Sequence, residues 1–95
     1  MELQEINRSD DNIFLIKHES VMKTALDVLT EISSSKKVIL MAKGDLIPNA
    51  VAVANIVTEN MLKGNSKIEN IKLDSVISEE DGQMTSNIEI ILTKN

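Results

Sequence analysis

The stretch that decides the fold is "VILMAKGDLIPNAVAVANIV", residues 38–57. Its first five residues are a continuous apolar run, with a length typical of a β-strand covered on one face or on both. Pro48 suits the first turn of a helix, where its missing N–H costs nothing. Apolar residues then recur at helical spacing up to Gly64, which predicts a second helix over about 47–63. The apolar residues at this spacing are Ala50, Val51, Ala54, Val57, Met61 and Leu62.

The residues before this stretch predict a first strand and a first helix. "NIFLIK", residues 12–17, is a short apolar run that indicates a buried strand. Residues 19–33 predict an amphipathic helix capped by Ser20. Its apolar side consists of Met22, Ala25, Leu26, Leu29 and Ile32.

The residues after the second helix predict two strands joined by a hairpin. From Lys67 onward the apolar period changes to two, and Asp81-Gly82 between the two runs is a typical hairpin signal. The element order is therefore β-α-β-α-β-β. We predict an α/β fold, a two-layer sandwich in which a four-stranded mixed sheet carries both helices on one face. The first two strands are parallel because a helical crossover joins them.

Composition bounds the class of protein. A chain of 95 residues supports one hydrophobic core, so we expect a flexible polar tail at 1–11 and a single domain at 12–95. The lack of cysteine removes disulfides, thiolate metal sites and cysteine nucleophiles. No apolar run approaches the roughly 20 residues that span a bilayer, and the start lacks a basic-then-apolar leader. We therefore expect a cytoplasmic protein without a membrane partner.

Charge argues against nonspecific attraction to nucleic acid. The net charge is −5, and the first eleven residues hold four carboxylates against Arg8, so the predicted domain itself is nearly balanced.

The second helix has more apolar surface than one sheet can cover, because Val53 and Ile56 lie outside the helical spacing of its other apolar residues. This excess predicts a protein partner, most simply a second copy of the chain.

The chain resembles the Alba family, the small dimeric DNA- and RNA-binding proteins of archaeal chromatin. The resemblance rests on "SVMKTALDVLTEI", on the passage "AKGDLIPNAV" into the second helix, and on the closing "DGQMTSNIEIILTK". The resemblance implies the fold predicted above and a homodimer formed through the second helix and the C-terminal strands. The implied dimer-interface residues are Val53, Ile56, Val57 and Met61.

The resemblance also implies where nucleic acid would bind. The matching positions are Lys17, His18, Lys43, Gly44, Asn49 and Gln83. This chain departs from the family because Glu19 and Asp45 stand where basic residues are usual, and three acids precede Gln83 at the hairpin tip. Two lysines thus face five carboxylates, and we expect weakened or altered binding.

Two alternatives stay open on the sequence alone. Lys43 and Gly44 could hold an anion at the start of the second helix, or Gly44 could permit a turn while Asp45 caps the helix or compensates its dipole. The chain could instead be an acidic interaction module that forms heterodimers with a basic Alba-type partner and modulates its packing on DNA. Because no paired acid and base stands out, we predict no enzymatic activity, no cofactor and no metal site.

Overall fold

The structure, a computed structural model, describes residues 12–95; the predicted tail at 1–11 lies outside the described residues. The strands are β1 (Asn12–Leu15), β2 (Lys37–Lys43), β3 (Ser66–Ile77) and β4 (Met84–Lys94), and the helices are α1 (Val21–Ser35) and α2 (Ile47–Asn55). A 3₁₀ turn, Gly44–Leu46, precedes α2, and a π-helical stretch, Ile56–Met61, continues it. Among the described residues, no helix is long and apolar enough to cross a membrane.

The four strands form one mixed sheet in the order β1-β2-β4-β3. β1 is parallel to β2, while β4 is antiparallel to both β2 and β3, as a helical crossover and a hairpin require. The predicted α/β fold, element order and mixed sheet are therefore confirmed. Both helices contribute to one hydrophobic core with the same face of the sheet, which leaves the other face without a helix.

The core is aliphatic and centres on β2 and β4. Cross-strand partners on the helix side are buried together, since Leu40 pairs with Ile90 and both are at most 1% exposed. The predicted burial of residues 38–42 on one or both faces holds for most of β2, in which Ile39 on the opposite face is also buried. β1 differs from the prediction. It is an edge strand rather than a buried one, and Ile13 and Leu15 are half exposed.

α1 begins as predicted but is rotated relative to the predicted apolar face. The Ser20 hydroxyl accepts a hydrogen bond from the backbone N–H of Lys23 at 3.2 Å, which is the expected cap. Met22 and Leu26, however, are about half exposed. Thr24 is buried in their place, and its hydroxyl donates to the carbonyl of Ser20 at 3.0 Å. This local bond removes the cost of burying the hydroxyl. The inward residues are Thr24, Ala25, Val28 and Ile32.

α2 is also rotated, and this corrects the predicted dimer interface. Val53 and Val57 are fully buried in the core of their own chain, so their side chains do not reach a partner surface. Val51, which the apolar spacing of the second helix predicts on the core side, is 40% exposed. Ile56 and Met61 are partly buried and stay accessible. The core side of the helix therefore follows 50, 53, 54 and 57, as a helix with 3.6 residues per turn requires.

β3 and β4 form the predicted hairpin, whose end projects past the rest of the sheet. Lys43, the last residue of β2, pairs with Asn87, so residues 84–86 of β4 pair with β3 alone. We call residues 75–86 the arm. The alternation on β3 does not lead to burial. Ile71, Leu73, Ile77 and Met84 share the helix side of the sheet with Ile88 and Ile90, yet they are 49–68% exposed. We call these four residues the apolar stripe.

Two valines on opposite sides of α2 test the observed rotation. Val53→Ala should lower the free energy of unfolding by about 2 kcal/mol, because it removes two buried methyl groups and leaves a cavity. Val51→Ala makes the same chemical change at an exposed site and should change it by less than about 0.5 kcal/mol. Urea denaturation followed by circular dichroism measures both. Equal losses would show that the core side of α2 is misplaced.

Candidate nucleic-acid interface

The carboxyl ends of β1 and β2 lie side by side because the two strands are parallel and adjacent. The backbone N–H of Ile16 donates to the carbonyl of Met41 at 2.9 Å, which fixes the loop after β1 beside the end of β2. Lys17 and His18 follow β1, and Lys43 and Gly44 close β2; all four are exposed. The structure thus brings four of the six predicted contact residues to one side, which we call the carboxyl edge.

The other two predicted residues lie away from this group. Asn49 is the third residue of α2 and is partly buried. Gln83 lies at the tip of the arm, four residues beyond Asn87 along β4. With a rise of about 3.3 Å per residue, that places Gln83 roughly 13 Å past the end of β2. One compact ligand cannot reach Gln83 and Lys43 together, but a polymer that runs along the arm can.

The loop between β2 and α2 takes its shape from Gly44. Its φ of +56° lies in the left-handed region, which glycine adopts without strain. Asp45 lies in the 3₁₀ turn and is exposed, and the N-cap position of α2 is Leu46, which makes no side-chain capping bond. The capping role considered for Asp45 is therefore wrong. Its carboxylate instead adds negative charge in front of α2, where it competes with any phosphate for the positive end of the helix dipole.

The tip of the arm is a structured turn. The carbonyl of Ser78 accepts from the N–H of Gly82 at 2.8 Å, and Gly82 has a φ of +72°. The Asp81 carboxylate accepts from the backbone N–H of Gln83 at 3.1 Å. That backbone bond, with a smaller contribution from the Ser78 hydroxyl, lowers the pKa of Asp81. Asp81 is therefore a turn-forming residue that stays ionised at neutral pH.

Of the two carboxylates beside the lysines of the carboxyl edge, Glu19 is partly offset by Lys23 and Asp45 is not. Lys23 on α1 forms an ion pair with Asp27 at 3.1 Å and lies 3.8 Å from Glu19. The hydrogen bond to Asp27 is the main cause that raises the pKa of Lys23. Lys23 is therefore engaged within α1, and Asp45 has no ion pair within residues 12–95. An approaching phosphate meets Lys17 and Lys43 among a larger number of carboxylates.

A hollow at the base of the arm was not predicted from the sequence. It has a volume of about 320 Å³ and lies where the end of β2 meets the first half of β4. It is lined by the lysines Lys43 and Lys72, the carboxylates Asp74 and Glu89, the amide Asn87 and apolar side chains that include Leu15 and Met41. The Oδ1 atom of Asn87 is buried and has no hydrogen-bond partner among the described residues. Strand pairing alone brings these residues together, so only a correct register could have revealed the hollow.

The acids of the arm tip do not form a metal centre. Within residues 12–95, no three histidine, aspartate or glutamate side chains are grouped so that they could hold a metal ion.

Comparisons with known proteins agree on one family. A sequence model of the Alba family matches residues 12–75. The DNA/RNA-binding protein Alba of Methanococcus maripaludis is 38% identical over 89 residues, which cover 88% of this chain and 99% of the relative. The protein of the same name from Thermoplasma acidophilum is 33% identical over 89 residues, with 90% and 99% covered. The solved structure of Alba from Thermoplasma volcanium has a TM-score of 0.74 and 31% identity, and covers 87% of this chain and 100% of that one.

The arm turn gives a pH-dependent prediction. Because the folded pKa of Asp81 is lowered, the bond to Gln83 stabilises the turn above the ordinary aspartate pKa and is lost as pH falls through the folded value. The amide of Gln83 should thus lose protection from hydrogen exchange in acid, starting below about pH 4. NMR measures this. Asp81→Asn keeps an oxygen acceptor that does not titrate and should abolish the pH dependence; the same acid response in that variant would contradict the assignment.

Proposed function

Because this chain belongs to the Alba family, we propose that it binds nucleic acid as a dimer, with binding that is weakened at the carboxyl edge. The observation that carries the proposal is an Alba scaffold kept over nearly the whole chain, in which carboxylates outnumber lysines at the positions that the resemblance assigns to nucleic-acid contact. Relatives at 33% and 38% identity are named DNA/RNA-binding proteins.

The weakening follows from the physics of phosphate binding. Affinity for duplex DNA comes largely from counterions released as lysine and arginine neutralise phosphates, and log K falls by about 0.9 per contact for each unit of log salt concentration. The carboxyl edge offers Lys17 and Lys43, so its contribution has a slope of about 2 before repulsion is counted. Glu19 and Asp45 lie beside these lysines in the same loops, and their charge opposes the approach of phosphate.

Hydrogen bonding favours nucleic acid with exposed bases. Asn49, Gln83 and Ser86 carry donors and acceptors that can read single strands. Side chains that stack on bases are few, since Phe14 is the one phenylalanine, tyrosine or tryptophan and is partly buried, and His18 is the one histidine. We therefore expect sequence-tolerant binding of modest affinity, with single-stranded RNA accommodated at least as well as duplex DNA.

The dimer is proposed from the apolar stripe. Its four exposed side chains continue the core face of β4 beyond the helices, and the accessible Ile56 and Met61 lie in the π-helical stretch that continues α2. A contiguous apolar surface of this kind marks an interaction site. A second copy can cover it, because a two-fold axis would place the same stripe and the same helix end against each other.

The acidic carboxyl edge also supports a second candidate, a heterodimer with a basic family member. In that assembly the apolar stripe would meet its equivalent on the partner, and the opposite charges of the two chains would favour mixed over like pairs. Native mass spectrometry of a mixture with a basic Alba protein tests this. Persistence of unmixed homodimers would count against it.

Asp45 provides the test of weakened binding. Affinity for labelled single-stranded RNA and duplex DNA should increase from wild type to Asp45→Asn to Asp45→Lys, by roughly tenfold in total at about 50 mM salt, because the charge of the loop increases by one at each step. Fluorescence anisotropy over a salt series measures it. Wild-type protein that fails to bind even at low salt would refute the proposed function. Unchanged affinity across the three proteins would refute the role of the carboxyl edge.

Two residues on opposite faces of β3 test the dimer. Leu73→Lys introduces a charge into the apolar stripe and should convert a dimer into a monomer, because a buried charge without a partner is costly. Val76→Lys places the same charge on the other face at a similar exposure, 56% against 68%, and should leave the dimer intact. Light scattering coupled to size-exclusion chromatography reports the mass. A monomeric wild-type protein, or two variants with the same mass, would contradict the proposed interface.

A further inference from the structure

Most lysines of the described chain lie at the end of the sheet opposite the carboxyl edge. Residues 12–95 contain nine lysines, and five of them are gathered there. They occupy the start of β2, the start of β3, the end of β4 and the turns beside them. We call this group the lysine edge, which consists of Lys36, Lys37, Lys63, Lys67 and Lys94.

Strand register brings three of these lysines together. Thr93 on β4 pairs with Lys37 on β2 and with Lys67 on β3. Lys37 and Lys67 are thus separated by two strand spacings, roughly 10 Å. The backbone N–H of Lys94 donates to the carbonyl of Lys36 at 2.9 Å, which holds the turn after α1 against the end of β4. These spacings are close to a Debye length at physiological salt, so the charges act together on an approaching anion.

Lys63 is held to the same edge by a second set of bonds. It lies in the turn that leads from α2 to β3. The N–H of Asn95 donates to the carbonyl of Asn65 at 2.8 Å, and the Asn95 side-chain amide lies 3.4 Å from the carbonyl of Gly64. This turn is therefore fastened to the end of β4 beside Lys94.

Apart from Lys37, the lysines of the lysine edge form no ion pair with a carboxylate of residues 12–95. The acidic side chains closest to them along the chain are Glu31, Glu59, Glu69 and Glu89. The ion pairs within residues 12–95 involve Lys23, and no carboxylate in that range lies within 4.0 Å of Lys36, Lys63, Lys67 or Lys94. Lys37 already has an interaction, so it is not counted among the lysines open to an external anion. Four ammonium groups are thus available to an external anion.

Lys36 occupies a backbone position where glycine is more favourable. It ends α1 with a φ of +71°, and its N–H donates to the carbonyl of Ile32 at 2.9 Å. Helices commonly end on a left-handed glycine for this purpose, because a side chain is strained in that conformation. A lysine at position 36 has a strained backbone, but it adds an exposed charge at the lysine edge. The side chain is therefore better explained by a role in binding than by the shape of the turn.

We propose that the lysine edge is the main surface through which this chain contacts the phosphate backbone of nucleic acid. The proposal rests on the proposed function and assigns its contact surface. A polyanion fits because several positive charges lie along one edge, with a spacing that a chain of phosphates can follow. Contacts of this kind carry no sequence information, so binding should depend strongly on salt and weakly on sequence.

Two triple variants with equal charge change test the assignment. The lysine-edge variant is Lys36→Gly, Lys63→Gln and Lys67→Gln; glycine at position 36 relieves the left-handed strain and protects the fold. The control is Lys17→Gln, Lys43→Gln and Lys72→Gln, all exposed and near the carboxyl edge. Both variants lower the net charge by three, and both keep residues 1–11 unchanged. Circular dichroism confirms that each full-length variant is folded.

Binding of the three proteins to short labelled duplex DNA and single-stranded RNA is then followed over a salt series. For the lysine-edge variant we expect at least roughly tenfold weaker binding at about 50 mM salt, and a slope on duplex DNA that is smaller by about 2.7. The control should lose less, because Glu19 and Asp45 already oppose the contacts that Lys17 and Lys43 make with phosphate.

Each result decides a different question. Equal losses, or a larger loss in the control, would overturn the assignment and return the contact surface to the carboxyl edge. A wild-type protein that binds neither the duplex DNA nor the single-stranded RNA would overturn the proposed function itself. A wild-type protein that binds nucleic acid while the lysine-edge variant binds equally well would overturn only this inference.

Discussion

The pairing of β2 with β4 is the constraint on which the rest of the structure depends. These strands are central in the sheet, and their helix-side partners Val38 with Leu92, Leu40 with Ile90 and Ala42 with Ile88 are at most 4% exposed. The helices pack mainly on the helix side of β2 and β4, because β1 is a short edge strand and much of β3 extends past the helices. The register also positions the carboxyl edge and the lysine edge. It places the end of β2 beside Asn87, and it places Lys37 and Lys67 on either side of Thr93.

The sequence predicted the elements well because each has a local signal. The period-two pattern of Ile88, Ile90 and Leu92 predicts a strand with one buried face, and Asp81-Gly82 predicts the turn before it. The rotation of the helices was less accessible. The apolar spacing predicts Met22 and Leu26 as core residues, yet the smaller Thr24 is buried instead. Its hydroxyl can be buried without penalty because it donates to the carbonyl of Ser20. Periodicity identifies a helix, but tertiary packing selects the side that is buried.

Because periodicity does not select the buried side, the sequence also placed Val53 and Val57 at the dimer interface and did not predict the apolar stripe. The apolar pattern predicts Val53 as excess apolar surface, although Val53 lies on the core side of α2. Ile71 and Leu73 alternate on β3 as Ile88 and Ile90 do on β4, and no local pattern distinguishes a face covered by helices from one that extends past them. The charge of the candidate contacts could be predicted, since acids and lysines can be counted along the chain. The lysine edge could not, because its members come from parts of the sequence up to 58 residues apart, from Lys36 to Lys94.

The two ends of the sheet can differ in charge because the core does not depend on either of them. The loops at the carboxyl edge and the turns at the lysine edge contribute backbone geometry, such as the left-handed Gly44 and Lys36, while buried side chains of the strands and helices supply the stabilisation. Exposed charges in such loops have little effect on folding. Acids can therefore replace lysines at one edge, and lysines can accumulate at the other, without disturbing the aliphatic core. A family scaffold can in this way keep its fold and its polyanion chemistry while the face that meets the polyanion changes.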